Sequence, residues 1–297
     1  MIKFASFGSL FAALALAAAT ATPALAQDDK PPAREALRVC QDPNNPPFTT
    51  TDGTGIENRI AQVFGKAMGL PVTFYSFPQR MNFIRNTLRY KLPGSDYPCD
   101  IVMGVPIGFD QVSVTKPYYR STYALVFAQG RGLDEVKTGA DFLALEPAKL
   151  HKLRIGLYDQ GPGSDWVNRH GLVDQTVPYH MMNADPGQYP GEIIEKDLAA
   201  GKIDVALVWG PMGGYFAKRV QSPKLAVVPL KSEPGIKFDY QMAMGVRYGE
   251  PAWKKQVEGL IDSQRDAIQA ILKEFNVPVV DESYVDPKNA ARLAADK

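Results

Sequence analysis

The chain is poor in the residue types on which enzyme chemistry is most often built. It has three histidines, His151, His170 and His180, and two cysteines, Cys40 and Cys99. No zinc-ligand spacing joins them, no cysteine–histidine pair stands out, and there is no G-x-S-x-G nucleophile elbow or phosphate loop with its lysine. Catalysis is therefore not expected, nor is a metal or other cofactor. An excess of charge is missing too, since 33 Lys+Arg oppose 32 Asp+Glu for a net charge of +1. Without a basic arm or stripe, nucleic acid is not an expected partner. No apolar run reaches the ~20 residues of a membrane-spanning helix.

What is present begins with an export signal. Lys3, the apolar stretch Phe4 to Ala19 and then Pro23-Ala24-Leu25-Ala26 give a positive n-region, an h-region and an A-x-A cleavage site. Residues 1–26 read as a signal peptide, so the mature protein is expected in the periplasm, neutral once Lys3 is lost. Residues 27–36 read as a flexible leader. The remainder is long enough for two lobes of roughly 100–150 residues each. In an exported protein an even cysteine count suggests one disulfide, Cys40–Cys99; the alternative is two separate buried thiols.

Periodicity then orders the elements. Leu37 to Cys40 is a strand, stopped by the loop Asp42–Phe48, which Pro43, Pro46 and Pro47 stiffen. Ile56, Ile60, Val63, Phe64 and Ala67 fall on one face of a helix over 55–68, closed by Gly69 and Pro71. A strand at Val72 to Tyr75 and a helix over 82–90 follow. Cys99 to Val105 is then an apolar run of the kind buried on both faces. Strand–helix–strand–helix–strand is a doubly wound parallel unit of order 2-1-3, which makes the strands carrying Cys40 and Cys99 neighbours. The theme recurs in a strand at Leu153 to Tyr158, a glycine-rich turn over 159–165 opening a helix, a strand at Val177 to Tyr179, a helix over 192–200 and a strand at Ile203 to Trp209. Apolar extended stretches over 115–127 and 238–246 cross between the halves, and one long helix over 251–275 packs on the first. The expected architecture is α/β: two α/β lobes joined by two crossing segments with a cleft between. Residues 37–120 plus 241–297 form lobe 1, and residues 121–240 form lobe 2.

In such sheets ligands meet the C-terminal strand ends. The candidate cleft or partner-binding residues are therefore Asp42, Asn44, Asn45 and Phe48 on the first loop, and Phe109 and Asp110 after the third strand. Tyr118 and Tyr119 join them at the first crossing, Ser164 in the glycine-rich turn and Trp209 at the last strand end. The glycine-rich turn offers either an anion site at a helix N-terminus or a simple cap by Ser164 or Asp165. Trp209 reads as packing or as a planar contact. Lys116 and Arg120 read as solvent-facing charges, and Glu57 as a first-turn acid compensating the helix dipole.

An exported chain of two α/β lobes with two crossings resembles the type II periplasmic binding proteins. The matching blocks are Arg38-Val39-Cys40-Gln41-Asp42-Pro43-Asn44-Asn45-Pro46-Pro47-Phe48, Cys99-Asp100-Ile101-Val102-Met103-Gly104, Thr115-Lys116-Pro117-Tyr118-Tyr119 and Gly201-Lys202-Ile203-Asp204-Val205-Ala206. A narrower likeness runs through Asp42-Pro43-Asn44-Asn45, Arg85-Asn86-Thr87-Leu88, Val105-Pro106-x-Gly108-Phe109-Asp110 and Pro117-Tyr118-Tyr119-Arg120-Ser121-Thr122-Tyr123. These are similar to the MxaJ/XoxJ family, accessory proteins of periplasmic quinoprotein methanol dehydrogenases. The resemblance implies a partner, a PQQ-dependent methanol or alcohol dehydrogenase of calcium or lanthanide type, supported by protein–protein contact. Amino-acid-binding members of the superfamily carry an arginine before the Pro-Tyr crossing to clamp the ligand carboxylate. Met103 to Thr115 contains neither arginine nor lysine, and Asp110 would repel a carboxylate. The competing reading is the solute-binding subunit of an ABC importer for a small ligand other than an amino acid.

Overall fold

The computed structural model describes residues 34–79, 82–180 and 187–288. The expected signal peptide, most of the leader and the chain beyond residue 288 lie outside the described residues. In chain order, β1 (Leu37–Gln41) leads into a hairpin of two-residue strands, β2 (Asn44–Asn45) and β3 (Thr49–Thr50). Next come α1 (Ile56–Met68), β4 (Val72–Ser76), the single turn α2 (Phe83–Asn86) and β5 (Ile101–Pro106). The short β6 (Ser113–Val114) precedes the ten-residue β7 (Tyr119–Ala128). Then follow α3 (Gly139–Leu143), α4 (Pro147–Leu150), β8 (Ile155–Tyr158), α5 (Pro162–Arg169) and β9 (Thr176–Tyr179). A π-helical turn, Ile193–Leu198, leads to β10 (Val205–Trp209), α6 (Gly210–Arg219), β11 (Leu225–Pro229), β12 (Asp239–Val246), α7 (Pro251–Ser263) and α8 (Arg265–Glu274).

The strands run in the order β4-β1-β5-β12-β7-β10-β8-β9, with β6 on β12 and β11 on β7. β1 lies between β4 and β5, parallel to both, as the 2-1-3 reading expects. β7 links two groups of strands. Its first part, Tyr119 to Thr122, pairs antiparallel with β12, and its second part, from Tyr123 on, pairs with β10 and β11. The α1 face bearing Ile56, Ile60 and Phe64 is fully buried, together with Trp253, Val257, Ile261, Ile268 and Leu272 of the last two helices. Gly69 closes α1 in the left-handed conformation.

Three expectations need correction. The helix over 82–90 is a single turn, because Thr87 turns its hydroxyl back to the Phe83 carbonyl (2.7 Å) and leaves helical backbone geometry. The helix over 251–275 is two helices, broken where Gln264 adopts φ −108°, ψ 17°. The third is an omission: α6 and β11 were not foreseen. Gly210-Pro211-Met212-Gly213-Gly214, given no element in the sequence reading, begins a helix packed tightly on its neighbours. A Cβ on Gly214 would stand 1.9 Å from the Asn276 carbonyl oxygen.

Cys40 and Cys99 form a disulfide with Cα atoms 5.3 Å apart. Cys99 belongs to the bend before β5 rather than to the strand, so the bond clips that bend onto β1. It closes a loop across a sequence separation of 59 residues, which in the chain-entropy picture is worth roughly 2–4 kcal/mol. Reduction is expected to lower the denaturant midpoint accordingly without changing the far-UV spectrum. Two alkylatable thiols in the unreduced, denatured protein would contradict the pairing.

Candidate functional site

The loop that follows β1 is held by its own side chains. One carboxylate oxygen of Asp42 accepts the Asn44 N–H (2.9 Å) and the other the Gln79 N–H (2.6 Å), while Asn45 Nδ2 donates to Gln79 Oε1 (2.7 Å). Asn44 Nδ2 reaches the Gln188 carbonyl at 3.5 Å, a link from this loop to the far half of the sequence. Phe48 is half-buried against the core of α1. The carbonyls of Pro47 and Phe48 accept the N–H groups of Ile56 and Glu57, each at 2.8 Å. Two donors at the start of α1 are thereby taken by the chain itself and are not open to an anion.

Glu57 lies in the first turn of α1, as the sequence reading has it, but that reading did not anticipate its burial: only 9% of it is exposed. Burial pushes its carboxyl up to about 8 from an ordinary 4.5. Among the described residues its side chain has no hydrogen-bond or ion-pair partner. Its Oε1 lies against Gly104, where a Cβ would stand 2.2 Å away, and Gly104 adopts φ +68°, so glycine is required there twice over. That glycine interrupting a buried strand was the available sequence signal of a close approach. Tyr118 and Tyr119, 4% and 6% exposed, stand beside Glu57 with their rings edge to face at 4.9 Å. Desolvation, with Glu57 close by, pushes both phenols above their usual range. Both tyrosines therefore lie in the core beneath the loop rather than on an exposed rim.

The residues from the other group of strands are spread more widely. Trp209, at the start of α6, packs edge to face on Tyr123 (5.5 Å) and Tyr240 (5.8 Å), two aromatic residues of the crossing strands that the sequence reading missed. Ser164 is half-buried in the first turn of α5 and donates its N–H to the Gly161 carbonyl at 2.9 Å. The N-cap is Gly161, without a side-chain bond, so neither Ser164 nor Asp165 caps the helix, and Pro162 removes one donor from the turn. Phe109 is half-buried on the cluster around Cys40, Val102 and Val112. Asp110 is exposed, its carbonyl accepting the Tyr248 hydroxyl at 2.8 Å. Lys116 does point outward, paired with Asp262. Arg120 does not: it bonds Asp239 at 2.8 Å in a buried pair that ties the crossing strands β7 and β12 together.

The structure thus gathers Glu57, Gly104, Tyr118 and Tyr119 under the Asp42–Phe48 loop, and Trp209 with Tyr123 and Tyr240; Phe48, Trp209 and Tyr240 all pack on the cluster that holds Tyr118 and Tyr119. Among the described residues no group of three or more His, Cys, Asp or Glu could hold a metal ion. No described helix is long and apolar enough to cross a membrane.

No family model matches the chain. It is 31% identical to Protein MoxJ of Methylorubrum extorquens, over 93% of this chain and 95% of that protein. Among solved structures it is similar to the periplasmic binding protein XoxJ from Methylobacterium extorquens AM1, at 32% identity and a TM-score of 0.66, covering 83% of this chain and all (100%) of that one. MxaJ from Methlophaga aminisulfidivorans aligns with a TM-score of 0.68 at 20% identity, covering 82% of this chain and 100% of that one, a likeness of fold. The architecture is that of a type II periplasmic binding protein.

Proposed function

The chain belongs to the MxaJ/XoxJ family, and from that premise we propose that it is a periplasmic accessory protein supporting the maturation or activity of a PQQ-dependent methanol or alcohol dehydrogenase by direct contact, with no catalysis of its own. The observation that carries this reading is the full-length likeness to MoxJ, at 31% identity. In this reading residues 37–120 with 241–297 form one lobe and residues 121–240 the other, and the chain is exported by residues 1–26. Asp42, Asn44, Asn45, Phe48, Phe109, Asp110, Ser164 and Trp209 contribute to the partner contact. Tyr118 and Tyr119 join only if the lobes part, since both are now buried. The bonds that fix the Asp42–Phe48 loop support this role, because a stiff loop loses little entropy on docking.

The importer reading is the weaker one, since the stretch from Met103 to Thr115 lacks a cationic anchor. Deleting the gene and purifying the dehydrogenase from the mutant tests the proposal. Dehydrogenase of reduced specific activity or cofactor content is expected, restored by the gene in trans. Fully active, cofactor-loaded enzyme with intact growth on methanol would refute it. Growth lost on one imported solute alone would establish the importer.

A further inference from the structure

β11 is a strand with one free edge. Leu225 to Pro229 pair with Ala128 to Ala124 of β7, and the flanking bonds, Gln129 N–H to the Lys224 carbonyl (2.9 Å) and Leu230 N–H to the Tyr123 carbonyl (2.8 Å), lie on that side as well. Among the described residues the opposite edge makes no backbone hydrogen bond. An exposed edge of this kind is a template for another chain. It is not flat, however. A cavity of about 750 Å³ runs along β11 between the end of α6, at Ala217 and Lys218, and the segment Asn276–Pro278. A second, of about 250 Å³, continues from it past Lys224. A five-residue strand is about 17 Å long, so the slot matches a short extended segment and excludes a broad sheet.

Charge selects the occupant. Lys137, Lys218 and Lys224 line the two cavities, and no carboxylate does. Lys137 and Lys218 donate to the backbone carbonyls of Asp134 and Glu274, at 2.5 and 2.9 Å; among the described residues neither makes an ion pair, although the Asp141 carboxylate stands within electrostatic range of Lys137 and that of Glu274 within range of Lys218. The nearby Glu274 carboxylate is engaged by Arg59. We propose that the open edge of β11 is a docking groove for an extended, acidic segment of a partner protein, bound by strand addition and held by these three lysines. The groove shares no lining residue with the proposed cleft contact. Its test stands whether or not that partner is a dehydrogenase.

The competing role of edge lysines is to repel other strands, and the experiment separates the two. The probe is an end-capped, labelled ten-residue peptide of alternating Glu and Val, titrated against the full mature protein by fluorescence anisotropy. A Lys–Val peptide of equal length is the control. Saturable binding of the acidic peptide is expected, weakened roughly tenfold or more by Lys137→Glu, Lys218→Glu and Lys224→Glu together and by raising salt. Amide exchange at Leu225 and Val227, whose N–H groups face the free edge, should slow on binding; Pro229 has no N–H to report. Lys224→Glu alone, at an exposed side chain that makes no hydrogen bond or ion pair among the described residues, should weaken binding with an unchanged melting temperature. No binding at low salt, equal binding of the Lys–Val peptide, or binding without protection of β11 would each overturn the proposal.

Discussion

Replacing Asp100 with asparagine is expected to lower the unfolding free energy by about 3–5 kcal/mol, the range for removing one partner of a buried ion pair. The Asp100 carboxylate, 1% exposed, is the meeting point of three guanidinium groups. It accepts from Arg34 at 2.8 Å, from Arg38 at 2.7 and 3.0 Å and from Arg247 at 2.6 Å. Burial alone would raise its pKa, but the bonds from Arg38 and Arg247, with the charge of Arg34, outweigh it and hold the carboxyl below its usual range. The cluster reaches outward from there. Arg247 donates to the Cys99 carbonyl at 2.6 Å and lies over the Tyr97 ring, while Arg34 lies over Trp253, whose indole N–H bonds the Asp100 carbonyl. Asparagine would leave Arg34 and Arg247 sharing Glu250, and Arg38 with no ion-pair partner among the described residues. The same depressed pKa fixes the response to acid. The contribution is complete above about pH 4, where an unfolded aspartate is ionised, and disappears as pH falls through the lower folded value. Denaturant titrations of D100N and the parent at pH 7 measure the effect. A loss under about 1 kcal/mol would show that the arginines find equivalent partners elsewhere.

What the sequence reveals and what it hides divides along range of interaction. The apolar stripe of α1, its glycine stop and the 2-1-3 parallel order follow from local periodicity and connection rules, and all three are present, except that Ala67, read onto the stripe, is exposed and Val63 is half-buried. The disulfide follows from the neighbouring strands, although Cys99 lies just ahead of its own strand. α6 was hidden because glycine and proline are poor helix formers, and the approaches that require two of its glycines, the Thr122 carbonyl at Gly210 and the Asn276 carbonyl at Gly214, come from residues distant in sequence. Arg120 looked solvent-facing because its partner, Asp239, sits on the returning crossing strand. Position alone gave Glu57 the right place, in the first turn of a helix, and the wrong environment. Gly104, Tyr118 and Tyr119 decide that environment, and all three come from later in the chain. The candidate site shows the same split: the rigid Asp42–Phe48 loop was legible, whereas the Trp209–Tyr123–Tyr240 cluster depends on strand pairing that no local pattern encodes.

Glu57 gives the opposite pH response to Asp100. Its folded-state pKa is raised to about 8 by burial, against 4.5 for the unperturbed group, so over the intervening range the native protein keeps a proton that the unfolded chain has lost. Stability contributed by the protonated carboxyl is complete below about pH 4.5. It declines as pH rises and is lost by the time pH has passed through about 8. At roughly 1.4 kcal/mol per pKa unit, the decline is on the order of 5 kcal/mol. With Asp100 losing its contribution at the acid end, maximum stability should fall in the weakly acidic range. Glu57→Gln keeps the shape and the neutral amide in place of the neutral acid, so the variant should lack this component of the decline. It should gain on the parent steadily from pH 5 to 8.5, and the two curves should converge toward pH 4.5. Glu57→Asp is the companion: a shorter carboxyl in the same pocket should retain the slope, even if packing against Gly104 is lost and overall stability falls. Denaturant midpoints at half-unit pH steps supply the three curves. Parallel curves for the parent and Glu57→Gln across this range would mean that the carboxyl is already ionised in the folded protein at neutral pH, and that Tyr118, Tyr119 and the Gly104 backbone do not enclose it as tightly as their contacts imply.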